Sequence, residues 1–132
     1  MNTAGCLMKS ILVVEDSRFL RLANERALVR AGYSVVTAAD GEEGLRMAGQ
    51  NVPDLILLDM MLPKLGGPEV LQALRQEPRT AQVPVIVLSS LSQRNEARLK
   101  EAGATAYFEK SRLDLDSHSD VLVQVVRRTL GE

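Results

Sequence analysis

Acidic side chains that could carry phosphoryl chemistry follow two apolar runs of this sequence. Glu15 and Asp16 come directly after the run ILVV, and Asp59 comes directly after the run LILL. Carboxylate oxygens are the ligands that suit Mg²⁺, a hard cation that is often held by few protein groups. An aspartate can also attack phosphorus and form an aspartyl phosphate. Ser89 and Lys110 follow two later apolar runs, and they could hydrogen-bond and charge-pair with the oxygens of such a phosphoryl group.

These side chains share one site only if the apolar runs are parallel strands, because the carboxyl ends of parallel strands lie along one edge of a sheet. The run that precedes Asp59 is apolar at every position, which is typical of a strand buried on both faces of a parallel sheet. The predicted strands span residues 11–14, 34–38, 55–58, 83–88 and 104–108.

Segments with apolar residues at helical spacing alternate with the strands. The first helix ends at Gly32, the second is capped by Asp40, and the third opens at Gly67. A charged fourth helix is expected over about 93–101, and a fifth is expected to be capped by the serine at 117 or 119. Regular alternation predicts an α/β fold with a five-stranded parallel sheet and five helices on its two faces. In the flavodoxin-like strand order 2-1-3-4-5, ligands bind between strands 1 and 3, where the order reverses.

Composition limits the classes of function. The chain has 132 residues, 45% of them hydrophobic, and a formal net charge of −1, so we expect one domain, and the charge favours neither nucleic acid nor an anionic membrane as a partner. A single cysteine, Cys6, is compatible with a reducing cytoplasm. We expect residues 1–9 to be a flexible leader and residues 10–131 to form the domain, with no output domain after it.

Four stretches of the sequence, ILVVEDS, DLILLDMMLP, VPVIVLSS and GATAYFEK, resemble the receiver domain of response regulators in bacterial two-component systems. The resemblance extends from Ser10 to Leu130, and the chain is similar to stand-alone, chemotaxis-type receivers. It implies that Asp59 is the phosphoacceptor and that Asp16 binds Mg²⁺ directly. It further implies that Glu15 holds the metal through water and that the backbone carbonyl of Met61 completes the metal shell.

The same resemblance implies how the domain would signal. Ser89 corresponds to the switch hydroxyl, Tyr107 to the switch aromatic residue, and Lys110 to the lysine that pairs with the phosphoryl group. The donor would be a phosphohistidine on a sensor histidine kinase or a histidine phosphotransfer protein. A downstream protein would bind the face formed by the fourth helix, the fifth strand and the fifth helix. The domain would catalyse only its own phosphotransfer and slow autodephosphorylation.

Two local features modify these expectations. Met61 and Leu91 occupy the positions that flank the approach of water to an aspartyl phosphate, and both are apolar, so we expect slow hydrolysis. Lys110 is followed by Ser111, where related domains commonly have proline. Because a cis bond before a non-proline residue costs about 2.5–4 kcal/mol, we expect a trans bond there.

Other functions are compatible with parts of the pattern. A flavin- or nucleotide-binding module of similar architecture would need a glycine-rich loop after the first strand, but Glu15 and Asp16 stand there instead. A phosphohydrolase with an aspartate nucleophile would need a second acid at the position that Met61 occupies. A degenerate receiver that serves only as an unphosphorylated docking module is a third alternative, against which the retained acids and Lys110 argue.

Overall fold

Five parallel strands form a single sheet in the order β2-β1-β3-β4-β5. The computed structural model describes residues 8–89, 100–101, 103–109 and 115–132. The strands are β1 (Ser10–Val14), β2 (Ser34–Ala38), β3 (Leu55–Asp59), β4 (Val85–Ser89) and β5 (Ala106–Glu109). The predicted fold class and strand order are therefore confirmed.

In the described part of the chain a helix follows each of β1, β2, β3 and β5, and local sequence signals explain where the first two begin. They are α1 (Arg18–Arg30), α2 (Gly41–Gln50), α3 (Gly67–Gln76) and α4 (Leu115–Thr129). Ser17 caps α1 by accepting a hydrogen bond from the Leu20 amide at 3.3 Å, and Asp40 caps α2 by accepting one from the Glu43 amide at 2.8 Å. Each cap satisfies an amide that has no partner within its helix.

The core lies on both faces of the sheet, because alternate residues of β1, β3 and β4 point to opposite sides. On one face, residues such as Leu12 and Leu58 pack with the buried side chains of α2 and α3. On the other face, residues such as Ile11 and Leu57 pack with Leu28 of α1 and with α4. All five residues of β3 are buried, as the uniformly apolar run before Asp59 predicted.

Several predicted boundaries differ from the structure. β4 begins at Val85 rather than at residue 83, because Pro84 has no amide hydrogen to donate to the ladder. β5 begins at Ala106 rather than at residue 104, because the backbone turns at Gly103 with φ 114°. The predicted serine cap of the last helix is wrong. α4 begins at Leu115, so residues 117 and 119 lie inside it, where serine is tolerated.

Other predictions fall on residues that the structure does not describe. They include most of the leader and most of the helix expected over 93–101, although Lys100 and Glu101 are helical. The bond between Lys110 and Ser111 also lies outside the described residues. Among the helices that the structure describes, none has the length and apolar character needed to cross a membrane.

Arg75 in α3 ties together three segments of the chain. Its guanidinium donates hydrogen bonds to the carbonyl oxygens of Thr80, Ala81 and Val83, which lie between α3 and β4, at 3.3, 3.1 and 2.7 Å. It also donates two bonds, of 3.0 and 2.8 Å, to the Gly103 carbonyl before β5. Burial lowers the pKa of Arg75 from its ordinary value, but each of the three guanidinium nitrogens donates to at least one carbonyl oxygen.

Candidate functional site

The turn after β1 fixes Glu15 at the sheet edge. The Glu15 amide donates to the Ala38 carbonyl at 3.0 Å, which extends the pairing of β1 with β2 by one residue. The Glu15 side chain is 1% exposed, and its carboxylate accepts a hydrogen bond from the Ser17 amide at 3.1 Å. Asp16, between them, is exposed. The turn therefore points one buried and one accessible carboxylate toward the same end of the sheet.

Arg21 is a site residue that the sequence analysis missed. Its guanidinium donates to the backbone carbonyls of Glu15, at 2.9 Å, and Asp16, at 3.4 Å. It thereby closes the first turn of α1 over the residues that carry the acids. A weak signal for this role was present, because an arginine within one helical turn of a cap can reach the carbonyls that precede it.

Asp59 is the last residue of β3 and is 3% exposed. One of its carboxylate oxygens accepts a hydrogen bond from the Met61 amide at 3.2 Å. This bond, from the amide two residues later, holds the carboxylate at the start of the loop after β3. In the register of the sheet, Asp59 pairs with Leu88, the residue before Ser89.

The fold brings the three acids together. Glu15, Asp16 and Asp59 each place a carboxylate oxygen within 4.8 Å of the others. β1 and β3 are adjacent in the sheet, so this group lies between strands 1 and 3, where the strand order reverses, as predicted. Negative charges at this separation repel one another, and a cation among them would offset that repulsion. Two buried carboxylates and one accessible carboxylate provide the hard oxygen donors that Mg²⁺ prefers.

Of the other predicted site residues, the structure describes Ser89, Tyr107 and Met61. Ser89 ends β4, and Tyr107 lies in β5, half-buried, next to Val87 of β4 in the register. Met61 is 65% exposed. Lys110 and Leu91 lie outside the residues that the structure describes.

Comparison with protein families identifies the domain. The model of the response regulator receiver domain matches residues 11–120. The gliding motility regulatory protein of Myxococcus xanthus is 43% identical over 120 residues, which are 89% of this chain and 15% of that protein. The transcriptional regulator RpaA of Synechocystis is 37% identical over 92% of this chain and 51% of its own length. The chain thus spans about half, or less, of these curated relatives.

Solved structures agree with the fold. The chemotaxis response regulator CheY4 of Vibrio cholerae superimposes with a TM-score of 0.84 and 30% identity, over 92% of this chain and 98% of that one. The receiver domain of a Pseudomonas aeruginosa sensor histidine kinase superimposes with a TM-score of 0.82 and 28% identity, over 95% and 99% of the two chains. That structure has a magnesium ion coordinated in its active-site cleft. With its parallel sheet, its acidic group between β1 and β3 and a family match over most of its length, this chain belongs to the response regulator receiver domains.

Proposed function

We propose that the chain is a phosphorylation-controlled signalling switch in which Asp59 accepts a phosphoryl group from a phosphohistidine. The observation that carries the proposal is the group formed by Glu15, Asp16 and Asp59, whose carboxylate oxygens lie within 4.8 Å of one another in a receiver domain. The partner that supplies the phosphoryl group would be a sensor histidine kinase or a histidine phosphotransfer protein.

The transfer balances as a substitution at phosphorus. A carboxylate oxygen of Asp59 forms a bond to the phosphorus while the bond from phosphorus to the imidazole nitrogen of the donor breaks. The electron pair of that bond remains on the imidazole, and the product is an aspartyl phosphate. The Met61 amide, which donates to the Asp59 carboxylate at 3.2 Å, orients the nucleophile.

Mg²⁺ is the cofactor that fits the donor set. Asp16 and Asp59 would bind it through carboxylate oxygens, Met61 through its backbone carbonyl, and Glu15 through water. When bound, it supplies the positive charge that offsets the carboxylates and the phosphoryl oxygens. Magnesium in the Pseudomonas receiver and manganese in the response regulator Rcp1 support this assignment.

Signalling would follow from contacts that only the phosphorylated state makes. The hydroxyl of Ser89 would bond one phosphoryl oxygen and Lys110 would pair with another. Tyr107 would then change its rotamer and alter a protein-binding face built from the helix predicted over 93–101, β5 and α4. A ligand shifts a conformational equilibrium only through contacts that differ between the two states, and the Ser89 hydroxyl would supply that difference.

A phosphohydrolase function has less support. The aspartate-nucleophile enzymes considered above would carry, two residues after the nucleophile, a general acid that protonates the leaving group. Met60 is buried at 6% exposure, and Met61 is exposed but carries a thioether, which cannot donate a proton. The residues directly after Asp59 therefore favour formation of an aspartyl phosphate over catalysed turnover of substrates.

Small-molecule phosphorylation tests the proposal. We expect acetyl phosphate to add one phosphoryl group per chain in the presence of Mg²⁺ and none in excess EDTA, as measured by the intact mass. Peptide mapping after proteolysis should locate the group on the segment that contains Asp59. A gain that is independent of divalent metal, or one located on another segment, would contradict the assignment.

The lifetime of the phosphoryl group should depend on Met61. Its exposed apolar side chain cannot orient a water molecule, whereas asparagine can. Met61→Asn should therefore accelerate loss of the phosphoryl group by about tenfold, since about 1.4 kcal/mol of barrier corresponds to a factor of ten in rate. Decay of the phosphorylated mass after removal of the donor measures this, with Met61→Leu as the apolar control. Equal decay of the two variants would mean that this position does not control water.

A further inference from the structure

The loop that follows the proposed phosphoacceptor is closed at its base. The Gly67 amide donates to the Met60 carbonyl at 3.1 Å. A side chain at Gly67 has no space, because a Cβ atom there would lie 2.6 Å from the Met60 Cα and 2.7 Å from the Asp59 carbonyl oxygen. The chain therefore leaves Asp59, runs through residues 60–66 and returns into contact with the backbone it left.

A strained turn forms the far side of this loop. The Leu65 amide donates to the Pro63 carbonyl at 2.7 Å, a bond between residues two apart that defines a γ-turn centred on Lys64. Lys64 has φ 66°, and no other non-glycine residue in the described part of the chain has a positive φ. A γ-turn with positive φ at its central residue is rare, and such conformations persist only where surrounding contacts hold them.

The start of α2 provides the first of these contacts. A Cβ atom at Gly41 would lie 2.1 Å from the Leu65 carbonyl oxygen and 2.8 Å from a methyl group of Val70. The backbone of Leu65 thus packs directly against the Gly41 Cα, at a separation that other residue types do not permit. This contact fixes the position of the γ-turn relative to α2.

Asp40 provides the second contact. One oxygen of its carboxylate accepts from the Glu43 amide at 2.8 Å and caps α2, and the other lies 3.5 Å from the Lys64 ammonium. The Asp40 side chain is 16% exposed, while that of Lys64 is 61% exposed. The pKa of Asp40 is held below its usual value mainly by the hydrogen bond from the Glu43 amide and to a smaller extent by the positive charge of Lys64. The carboxylate is therefore ionised at neutral pH.

We propose that Asp40 and Gly41 are positioning residues for the phosphorylation site, which act by holding the γ-turn at Lys64 and thereby the backbone of Met61. This inference rests on the proposed function. Met61 lies between the fixed Asp59 end of the loop and the γ-turn, so an immobile turn restricts where its carbonyl can point. If the turn relaxed to negative φ, that carbonyl would move, and both Mg²⁺ affinity and the rate of phosphoryl transfer would fall.

Four variants separate this role from a general loss of stability. Gly41→Ala pushes on the Leu65 carbonyl, and Gly49→Ala is its matched control in the same helix, because nothing lies within 4 Å of a Cβ atom there. Asp40→Asn keeps an oxygen for the Glu43 amide but presents an uncharged amide to Lys64. Lys64→Gly gives the turn a residue that adopts positive φ without strain. In the double variant Asp40→Asn/Lys64→Gly, the γ-turn should therefore keep its conformation without the ion pair between residues 40 and 64.

The readouts are the Mg²⁺ dissociation constant from titration of the Met61 amide signal in NMR, the rate of phosphorylation by acetyl phosphate, and the thermal midpoint. We expect Gly41→Ala to weaken Mg²⁺ binding by about tenfold. Substituting a residue that supports a metal ligand typically lowers metal affinity by about 10- to 100-fold, and this change is at the lower end of that range. Asp40→Asn should weaken it by less, and the double variant should restore it. Gly49→Ala should bind Mg²⁺ as the wild type does.

Three outcomes would overturn the positioning role. In the first, Gly41→Ala and Asp40→Asn both bind Mg²⁺ as tightly as the Gly49→Ala control. In the second, the double variant binds Mg²⁺ as weakly as Asp40→Asn. In the third, Mg²⁺ binding falls only in proportion to the fraction of protein that is unfolded. If Gly41→Ala does not fold, the comparison of Asp40→Asn with the double variant decides. Failure of the proposed function would be distinguishable, because the wild-type protein would then accept no phosphoryl group. The NMR signal of the Met61 amide would still show whether the variants change the conformation of the loop after Asp59.

Discussion

Asp59→Asn should accept no phosphoryl group from acetyl phosphate under conditions that fully label the wild type. The carboxamide has a neutral oxygen and cannot form the acyl phosphate, so the rate should fall by at least about 10⁴-fold, as when a catalytic nucleophile is removed. The intact mass, recorded over a time course with saturating Mg²⁺, measures this. Asparagine matches aspartate in size, so the sheet should be retained, and circular dichroism checks that it is.

The chain contains a matched control next to the other end of the same strand. Asp54 directly precedes β3, and its carboxylate accepts a hydrogen bond from the Ser10 amide at 2.7 Å in an exposed setting. It lies at the opposite end of β3 from Asp59, and therefore at the opposite edge of the sheet. Asp54→Asn should be phosphorylated at the wild-type rate. Labelling of Asp59→Asn, or loss of labelling in Asp54→Asn alone, would contradict the proposed site.

Replacing Arg75 by methionine should lower the free energy of unfolding by about 3 kcal/mol. Methionine retains the aliphatic stem of the side chain but removes the donors that bond four carbonyl groups, those of Thr80, Ala81, Val83 and Gly103. A buried acceptor left without a partner costs about 1–3 kcal/mol. The Thr80 carbonyl keeps the Val83 amide as a donor at 3.1 Å, and water can reach part of this half-buried cluster, so the total is less than four full penalties. Urea denaturation followed by circular dichroism gives the value.

Arg46→Met is the appropriate control for that experiment. Arg46 is exposed on α2, and its hydrogen bond goes to the nearby Gln50 side chain at 3.3 Å. A surface change of this kind should alter the free energy of unfolding by no more than about 0.5 kcal/mol. Arg75→Lys should fall between wild type and Arg75→Met, because one ammonium cannot reach all of the carbonyl groups. Equal stability of Arg75→Met and Arg46→Met would show that the hydrogen bonds of Arg75 add nothing.

Local sequence signals determined most of the architecture. The apolar run before Asp59 predicted a strand buried on both faces, and the structure buries all five residues of β3. Asp40 and Gly32 predicted a helix start and a helix end, and the structure has both. These signals are reliable because the apolar pattern of a strand, a helix cap and a positive φ are each specified by residues close together in the chain.

Boundaries that depend on distant partners were predicted less well. Pro84 cannot donate to the ladder, so β4 begins at Val85, where it pairs with Ile56 of β3. The start of β5 is set by the turn at Gly103, whose carbonyl is held by Arg75. The start of α4 at Leu115 also differed from prediction, because serine is favoured at helix caps but is also tolerated inside helices. Local composition does not distinguish between these cases.

By itself, the sequence determined which residue types stand at the carboxyl end of each strand, and hence that Glu15 and Asp16 follow β1, Asp59 ends β3 and Ser89 ends β4. Only the tertiary structure decided that the oxygens of Glu15, Asp16 and Asp59 approach within 4.8 Å, because that separation depends on strand pairing. It also decided that Gly41 contacts the loop after Asp59. Contacts between segments far apart in the chain follow from packing, and no pattern of neighbouring residues specifies them.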